Sequence, residues 1–599
     1  MCGIATIFAY SPDASPVNRE ELLRIRDRMT DRGPDGCGTW HSADGRVGMA
    51  HRRLSIIDLS ELGAQPMQSI DGRLVITFNG EIYNYQALRA DLIKKGYRFR
   101  SNSDTEVLLH LYADKGPDMM HDLRGMYAFA LWDGRRQGVF LARDPFGIKP
   151  LYYADDGKIL RAASQVKALL AGGAINTAPD SAGHVGFFLW GHVPEPYTMY
   201  KAIRSLPAGT TLWVGQDGKK SLNTFYSLSA EIARACDNPV ALGRREMQAH
   251  LQAALLDSVR HHLIADVPVG VFLSSGLDST TLTALAAEAG VKDLHTVTIG
   301  FREFQGTESD EVPLAEQTAK YYGTKHRTVW LEKADFQDEL AQLLDAMDQP
   351  STDGVNSYFV SKAATLASLK VVLSGLGGDE IFGSYPSFSQ IPRMVRILRL
   401  LGIVPGFGKG FRAVSAPVLK HFISPKYAGL IEYGGSYGGA YLLRRGMFMP
   451  WELPDVLDPE MTWDGWQELQ TLARLEETVK DIDSDYLKVS ALEMSWYMRS
   501  QLLRDTDWAS MAHSLEIRTP LVDVKLINSI APLLASSSSS PTKRDMASTP
   551  VKPLPAVVLT RKKTGFTAPV REWLMKDGET KSERGLRGWA MNVYARYRQ

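Results

Sequence analysis

The chain has 599 residues, which is too long for one hydrophobic core and predicts two or more domains. Its apolar fraction of 44% and charged fraction of 23% are those of an ordinary globular protein. Lysine plus arginine (68) balances aspartate plus glutamate (68), so the charge gives no reason to expect nucleic acid or an anionic membrane as a partner.

Cysteine content and hydropathy indicate the cellular compartment in which the protein is expected. The three cysteines, Cys2, Cys37 and Cys236, are too few for a disulfide framework and indicate a reducing environment. No apolar run reaches the ~20 residues that a membrane-spanning helix needs. The first residues also lack a basic region followed by an apolar one, so we expect no signal peptide. A cytosolic enzyme is the expectation.

The first 215 residues are predicted to be rich in β-structure, because short apolar runs alternate with Gly, Asp and Asn turns. The clearest predicted strands are RLVITFNG (73–80), GMYAFALWD (125–133) and GVFLARD (138–144). Helices are predicted around residues 18–30 and 84–95.

From about residue 243 helices and strands alternate, which predicts a parallel sheet with helices on both faces. The predicted elements are a helix over 245–263, a strand over 267–274, a helix over 279–290, a strand over 294–301, a helix over 311–322 and a strand over 370–377. Beyond residue 390 the pattern is mostly helical. The stretch ASSSSSPTKRDMASTP (535–550) is predicted to be a mobile surface loop, and its composition permits a disordered segment, a segment that orders over the active site or a degenerate insertion.

The chain begins MCGIATIFAY, and its second residue invites a chemical interpretation. Cys2 and Gly3 are small, so Met1 can be removed to leave Cys2 with a free α-amine. An α-amine titrates near pKa ~7.7–8.0 and a thiol near ~8.5, so the amine can act as the general base of its own thiol.

Four further stretches accompany Cys2, and each one alone would predict only a turn. They are RGPDGCG (32–38), HRRLSIID (51–58), FNGEIYN (78–84) and SDTE (103–106). Together with Cys2, and in this order, they resemble the class II glutamine amidotransferases. The resemblance covers residues 1–215 and implies an α+β N-terminal nucleophile (Ntn) glutaminase domain.

The resemblance implies a role for each matched position. Cys2 would attack the side-chain amide of glutamine, forming a γ-glutamyl thioester and releasing ammonia. Asn79 and the backbone N–H of Gly80 would form the oxyanion hole. The substrate glutamine would also be held by Arg53 at its α-carboxylate and by Glu81 and Asp104 at its α-ammonium.

Two other positions of this half stand apart from the matched motifs. Cys37 is predicted to be a buried structural thiol without a chemical role. The family often has glutamate in Ala-Ser-Glu-Val/Ile-Lys, whereas this chain reads ASQVK with Gln165.

In the second half, VFLSSGLDST (271–280) lies where a predicted strand ends and a helix begins. Small residues let backbone N–H groups approach a polyanion, and the helix N-terminus adds a favourable dipole. The stretch lacks the Gly-Lys-Ser/Thr of a Walker P-loop. It is similar instead to the pyrophosphate loop of ATP pyrophosphatases, whose α/β fold is adenine nucleotide alpha hydrolase-like. The resemblance implies ATP contacts from Leu273, Ser274, Ser275, Gly276, Asp278, Ser279, Ile299, Ser374 and Gly375. Leu273 and Ile299 would flank adenine, and both are equally good core residues.

A second loop, within VVLSGLGGDEIFGSYP (371–386), follows the next parallel strand. Asp278 and Asp379 are the predicted ligands of Mg²⁺, which prefers hard oxygen donors and would neutralise the departing pyrophosphate. RKKTGF (561–566) resembles the family's Arg-x-Lys-x-Gly-Phe and makes Lys563 the catalytic cation over the α-phosphate. With MAHSLEIRTPLVD (511–523), residues 216–599 resemble the synthetase domain of asparagine synthetases.

The resemblance breaks on the acceptor side. Asparagine synthetases have an acidic residue after Ser-Gly in the second loop, whereas this chain has Leu376, which cannot move a proton. DWAS (507–510) replaces the family's Asp-Arg-Met-Ser, and DQPSTDGVNSYFVSK (348–362) is also unlike the expected pattern. Asp348 or Glu380 could supply the missing carboxylate.

The sequence thus predicts glutamine-dependent, ATP-dependent amidation of a carboxylate through an acyl-adenylate. Aspartate is the leading acceptor. The alternative is another acid, such as a uronic acid of a surface polysaccharide or a secondary-metabolite precursor, because a fold does not fix specificity. By analogy with the family, an interdomain ammonia tunnel and a homodimer are hypotheses.

Three rival functions are disfavoured by particular residues. Amidotransferases that act on phosphoribosyl pyrophosphate or sugar phosphates have no use for SSGLDS (274–279). A β-lactam-forming synthetase does not need Cys2. A storage or regulatory protein would not need Asp278, Asp379 and Lys563.

Overall fold

The structure is a computed structural model that describes residues 2–399, 406–419, 425–536, 540–561, 569, 573 and 586–597. Lys563 therefore lies outside the described residues. Within the described ranges, no helix combines the length and the apolar character needed to cross a bilayer.

The N-terminal half contains two six-stranded antiparallel sheets. The strands are β1 (Gly3–Ala9), β2 (Gly36–His41), β3 (Val47–Arg53), β4 (Met67–Gln68), β5 (Leu74–Ile82), β6 (Gly125–Asp133), β7 (Gly138–Arg143), β8 (Tyr152–Asp155), β9 (Ile159–Ala163), β10 (Ile203–Ser205), β11 (Thr210–Gly215) and β12 (Lys220–Thr224). Their orders are β10-β8-β9-β1-β3-β2 and β12-β11-β7-β6-β5-β4.

The two sheets pack face to face and are covered by helices on their outer faces. Phe8 and Met49 of the first sheet share a buried cluster with Val75 and Trp132 of the second. The helices of this half are α1 (Arg19–Asp27), α2 (Tyr85–Lys94), α3 (Asp104–Lys115), α4 (Val166–Ala171) and α5 (Ser181–Trp190). Helices α1 and α4 cover the first sheet, and α2 and α3 cover the second. This α-β-β-α layering confirms the expected Ntn fold.

The C-terminal half is built around one five-stranded parallel sheet of order β15-β14-β13-β16-β17. Its strands are β13 (Val269–Phe272), β14 (His295–Phe301), β15 (Lys325–Leu331), β16 (Val371–Leu373) and β17 (Glu516–Arg518). The strand order reverses between β13 and β16, and this reversal is the topological switch point at which open α/β sheets bind ligands.

Helices surround this sheet and form the rest of the half. They are α6 (Leu228–Asp237), α7 (Arg244–His262), α8 (Leu277–Glu288), α9 (Val312–Tyr322), α10 (Lys333–Ala346), α11 (Val355–Leu366), α12 (Gly378–Phe382), α13 (Ser387–Leu398), α14 (Phe407–Leu419), α15 (Leu430–Tyr433), α16 (Tyr437–Arg445), α17 (Pro459–Leu469), α18 (Thr471–Val479), α19 (Asp485–Leu492), a π-helix (Glu493–Leu503), α20 (Arg504–Met511), α21 (Val524–Leu534), α22 (Lys543–Ala547), α23 (Ala556–Thr560) and α24 (Leu586–Ala595). Helices α7 and α8 cover one face of the sheet, and α10 and α11 cover the other.

Three features differ from the sequence-based predictions. Helix α3 was not predicted, because residues 104–112 are buried on all sides and so lack an amphipathic period. The expectation of a mobile surface loop over 535–550 is wrong for residues 543–547, which form α22 with Met546 and Ala547 buried. Strand β12 also continues the second sheet to Thr224, past the predicted boundary at residue 215.

The two halves share one hydrophobic cluster and several buried polar contacts. Asp348, which follows α10, accepts hydrogen bonds from the backbone N–H groups of Val166 and Lys167, both at 2.9 Å. These N–H groups open α4, whose own N-cap residue, Gln165, provides no side-chain cap. A carboxylate of the second half therefore caps a helix of the first.

Replacing Asp348 by alanine leaves these two buried donors without an acceptor, so we expect it to lower stability by about 1–3 kcal/mol. The measurement is the midpoint of thermal unfolding by calorimetry. The matched control is Asp345→Ala, since the Asp345 side chain is 69% exposed and its pair with Arg28 is worth about 0–1 kcal/mol. Equal midpoints for the two variants would contradict the capping role.

Candidate active sites

The candidate nucleophile lies at the start of β1 and is buried. The Cys2 side chain packs where its Sγ lies 3.9 Å from the carbonyl oxygen of Leu54. Burial raises the pKa of the Cys2 thiol. The Cys2 backbone nitrogen donates to Asn79 Oδ1 at 2.8 Å, although 77 residues separate the two positions. The structure therefore brings together two residues that the sequence assigned to one site.

Asn79 and Gly80, the predicted oxyanion-hole residues, lie next to each other on β5. Asn79 is fully buried, and its Nδ2 has no hydrogen-bond acceptor among the described residues. Buried donors are normally paired, so an unpaired one beside a nucleophile is suited to a developing negative charge. Gly80 has φ +152°, and a Cβ there would lie 2.1 Å from the carbonyl oxygen of Met126. Only glycine fits this position.

The three residues predicted to hold glutamine differ in their surroundings. Arg53 donates to the carbonyl oxygens of Ser60, at 2.9 Å, and Asp58, so its guanidinium is engaged with this loop. Glu81 and Asp104 are buried close to each other, and Asp104 Oδ2 accepts from the Ile82 N–H at 3.0 Å. Burial raises the pKa of Asp104 to about 6 and that of Glu81 well above its ordinary value, the latter with a further contribution from Glu516.

A buried arginine that the motif analysis left without a role connects the nucleophile to the second half. Arg32 Nε donates to the carbonyl oxygen of Cys2 at 3.1 Å. Its two terminal nitrogens bind the carboxylate of Asp507 in α20 at 2.7 and 3.1 Å. Both side chains are at most 5% exposed. Arg32 lies within the quoted RGPDGCG motif, but no local signal could identify a partner 475 residues away.

Cys37 is a correction to the sequence analysis. It was expected to be a buried structural thiol, but it is exposed on β2. Strand β2 lies at the edge of the first sheet, and its side chains alternate between half-buried and exposed positions there. The isolated hydrophobicity of a cysteine could not distinguish the two faces of an edge strand.

The second candidate site lies at the switch point of the parallel sheet. The loop after β13 contains Ser274, Ser275 and Gly276, and the loop after β16 contains Ser374 and Gly375. A Cβ on Gly375 would lie 2.8 Å from Cβ of Asp278, so the two loops are in direct contact. The side-chain hydroxyl of Ser279 bonds back to the carbonyl oxygens of Ser274 and Gly276 at 3.0 and 3.2 Å, closing the first loop over the start of α8.

Asp278 and Asp379 converge at this crevice on one cation of the chain. Lys543 Nζ donates to Asp278 Oδ2 at 2.6 Å and also to Asp379 Oδ1. Although burial opposes it, the two carboxylates raise the pKa of Lys543. Lys543 begins α22, whose first turn is closed by reciprocal hydrogen bonds between Thr542 and Asp545. Lys543 was not predicted as a site residue, because residues 535–550 were predicted only as a loop that could order over the active site.

The remaining predicted ATP contacts are buried. Leu273 packs against Ala315 and Ala319 of α9, and Ile299 packs on the opposite face of the sheet. Both side chains are at most 3% exposed.

Comparison with known proteins agrees with the division of the chain into two parts. The family model described as a glutamine amidotransferase domain matches residues 1–226, and the one described as asparagine synthase matches residues 250–585. The chain belongs to the asparagine synthase family. The resemblance and the two-part fold predicted from the sequence are thereby confirmed.

Relatives in this family match along most of the chain. "Asparagine synthetase [glutamine-hydrolyzing] 1" of Bacillus subtilis is 32% identical over 99% of this chain and 90% of the relative. "Asparagine synthetase [glutamine-hydrolyzing] 3" of the same organism is 29% identical over 88% of this chain and 80% of the relative. "Asparagine synthetase B [glutamine-hydrolyzing]" of Escherichia coli is 33% identical over 65% of this chain and 66% of the relative.

Within this asparagine synthase family, the departures in the second loop now have a location. Leu376 packs against the main hydrophobic cluster. Of the two carboxylates considered as substitutes, Asp348 is committed to capping α4. Glu380 is buried one residue after Asp379, and its Oε1 accepts from the Tyr385 hydroxyl at 2.7 Å. Glu380 is thus the one of the two that lies beside the acidic pair.

Trp508, which replaces the arginine of the family motif, holds the region before α11. Its Nε1 donates to Asp505 Oδ1 at 2.8 Å, and its ring lies 2.5 Å from where a Cβ on Gly354 would be. Asp505 also accepts from the Ser351 hydroxyl at 2.6 Å. The two sequence departures at 348–362 and 507–510 are therefore in contact with each other.

The exposure of the thiols predicts an order of alkylation. In protein that retains Met1, we expect iodoacetamide at neutral pH to modify Cys37 at least about tenfold faster than Cys2, because Cys2 is buried and its pKa is raised. Peptide mass spectrometry over a time course measures both rates. Cys37→Ser serves as the control that isolates the Cys2 rate, and modification of Cys2 first would contradict the geometry.

Proposed function

We propose that the protein hydrolyses glutamine at Cys2 and uses the ammonia to amidate a carboxylate that ATP has activated as an acyl-adenylate. Aspartate is the acceptor that we propose, so aspartate, glutamine, ATP and water would give asparagine, glutamate, AMP and pyrophosphate. Family membership and the names of the relatives support this reaction. A cytosolic location and a homodimer stay predictions.

The observation that carries the proposal is the contact between Cys2 and Asn79. The nitrogen that becomes the free amine of Cys2 lies 2.8 Å from Asn79 Oδ1, and the same amide has its Nδ2 donor unpaired among the described residues. One side chain can therefore orient the amine that takes the thiol proton and stabilise the oxyanion that follows. Removing one such donor from an oxyanion hole costs roughly 10²–10³ in kcat.

Glutamine binding would use the buried carboxylates of Glu81 and Asp104 for the α-ammonium. Burial raises the pKa of both carboxyl groups. In the absence of substrate, the positive charge around them is therefore too small to offset the desolvation of their ionised forms. Arg53 would have to exchange a carbonyl partner of the loop at 58–60 for the α-carboxylate.

ATP would bind in the crevice between the loops after β13 and β16. Backbone N–H groups of Ser274, Ser275 and Gly276 would contact the phosphates beside the N-terminus of α8. Leu273 and Ile299 stay the proposed residues beside adenine, although their side chains are buried on opposite faces of the sheet. Lys563 stays the proposed cation over the α-phosphate.

The residues at this crevice fit Mg²⁺. Asp278 and Asp379 are two oxygen donors that already hold a cation together, and no group of three or more metal-ligating side chains occurs in the described ranges. One or two carboxylates plus substrate phosphates and water is the usual environment of Mg²⁺ beside a nucleotide. When bound, the ion would neutralise the charge of the leaving pyrophosphate.

The test is pyrophosphate release from purified protein with ATP, Mg²⁺ and glutamine, with candidate acids added one at a time. We expect aspartate to release pyrophosphate together with equal amounts of asparagine and AMP. Cys2→Ala should abolish the reaction with glutamine and retain it with ammonium, because only the first site is lost.

Two outcomes would change the proposal in different ways. Pyrophosphate release with a uronic or other acid, and none with aspartate, would keep the amidation and replace the acceptor. Absence of both glutamine hydrolysis and acid-dependent pyrophosphate release would refute the proposed function.

The pairing of Lys543 predicts competition with a divalent cation. Lys543→Met leaves Asp278 and Asp379 without this partner, so we expect Mn²⁺, a probe for Mg²⁺ sites, to bind about tenfold or more tightly in the absence of ATP. Calorimetric titration measures the affinity, and Lys543→Arg is the control that keeps the charge. An unchanged Mn²⁺ affinity in Lys543→Met would show that the two carboxylates do not form the cation site.

A further inference from the structure

One short strand contacts both candidate sites. The carbonyl oxygen of Arg518, at the end of β17, accepts a hydrogen bond from the N–H of Ser374 at 2.8 Å. Ser374 is the first residue of the second ATP-site loop. The Arg518 side chain extends toward the first half and is fully buried. The Arg518 backbone is therefore hydrogen-bonded directly to the loop, at the end of a strand that pairs with β16 over Glu516–Arg518.

The guanidinium of Arg518 makes three hydrogen bonds within the second half and one longer contact with the first half. Nε donates to Glu516 Oε1 at 2.6 Å, and Nη1 donates to the carbonyl oxygens of His262 and Ile264 at 2.8 and 2.6 Å. Nη2 faces Glu81 Oε2 at 3.5 Å, and neither of these two atoms makes a hydrogen bond to a described residue. The weak contact is the one that crosses to the glutamine site.

The carboxylates of Glu81 and Asp104 are incompletely neutralised. They influence each other and Glu516, and burial raises the pKa of both, whereas Arg518 and the buried Lys149 lower the pKa of Glu516. Buried carboxylates need cations or donors to remain charged. A substrate ammonium at Glu81 and Asp104 would supply the missing positive charge and would compete with Arg518 Nη2 for Glu81.

We propose that Arg518 is a positioning residue that couples glutamine occupancy of the first site to nucleotide occupancy of the second. The inference rests on the proposed function, because it takes the ammonium of glutamine as the ligand of Glu81. When the ammonium binds, the Glu81 carboxylate contacts the ammonium and loses its contact with Arg518 Nη2. The Arg518 guanidinium then moves closer to Glu516, and the displacement of β17 is transmitted to Ser374. Because coupling of binding free energies is reciprocal, nucleotide at the second loop changes the affinity for glutamine by the same factor.

The experiment measures glutamine binding without turnover. Cys2→Ala protein is titrated calorimetrically with glutamine, with and without saturating ATP and Mg²⁺ and with no acceptor acid present. We expect the nucleotide to change the Kd of glutamine about fivefold or more, the range typical of allosteric coupling. In Cys2→Ala/Arg518→Lys, which keeps the charge but loses the planar fork, the change should fall within about twofold.

A matched control separates this role from general weakening of the interface. Arg124 is also a buried arginine that crosses between the halves, binding Asp523 at 2.9 and 3.1 Å and Asp257 at 2.7 Å, but it does not contact Glu81. Cys2→Ala/Arg124→Lys should keep the fivefold coupling. Hydrogen exchange of residues 371–378 gives a second readout, which glutamine should alter in Cys2→Ala and in the Arg124 variant but not in the Arg518 variant.

Each outcome decides the inference. Absence of coupling in Cys2→Ala, its persistence in the Arg518 variant, or its equal loss in the Arg124 variant would overturn the role of Arg518. If Arg518→Lys does not fold, Cys2→Ala/Glu81→Gln replaces it. Even if this variant binds glutamine more weakly, ATP and Mg²⁺ must then leave its glutamine Kd unchanged. Failure of Cys2→Ala to bind glutamine would refute the proposed function as well, whereas binding without coupling would refute only the inference.

Discussion

The contact between Arg32 and Asp507 is the constraint on which the rest of the structure depends. It fixes the carbonyl of the candidate nucleophile to a helix of the other half through a guanidinium that is 1% exposed. Breaking such a buried pair by removing one partner costs about 3–5 kcal/mol, because the other charge stays buried and unpaired. The position of Cys2 is therefore set by both halves of the chain, although the motif around it belongs to one.

Further buried contacts, charged and aromatic, cross the same boundary between the two halves. Arg124 pairs with Asp523, Arg518 faces Glu81, and the ring of Tyr83 lies 4.1 Å from that of His262 between their centroids. Around them a single hydrophobic cluster runs from the second sheet of the first half to α7 and α8 of the second. Apolar burial is non-directional, whereas displacing one half relative to the other would leave the buried ion pairs without their partners.

Local motifs predicted which residues come together at each site, and distant pairings escaped prediction for a physical reason. Cys2, Asn79, Asp278 and Asp379 were placed correctly in two clusters because each belongs to a short stretch whose backbone geometry determines its role. Lys543 lies outside the matched motifs and Arg518 lies within one (511–523), but the partners that they contact in the two sites are 164 to 437 residues away along the chain. Periodicity failed at α3, where burial on every side removes the amphipathic signal.

The cap that Asp348 places on α4 has a consequence for how this architecture can be divided. The N-terminus of α4 in the first half is capped by a carboxylate of the second half. The charge of Arg32 in the first half is likewise neutralised by a carboxylate of the second half. The two halves match separate family models, yet they are not interchangeable parts. A chimera with a relative would have to transplant both members of every crossing pair, because a graft that carried Arg32 without Asp507 would bury a lone cation. We therefore expect the two halves to be inherited together, and substitutions in one half at this interface to be accompanied by changes in the other half.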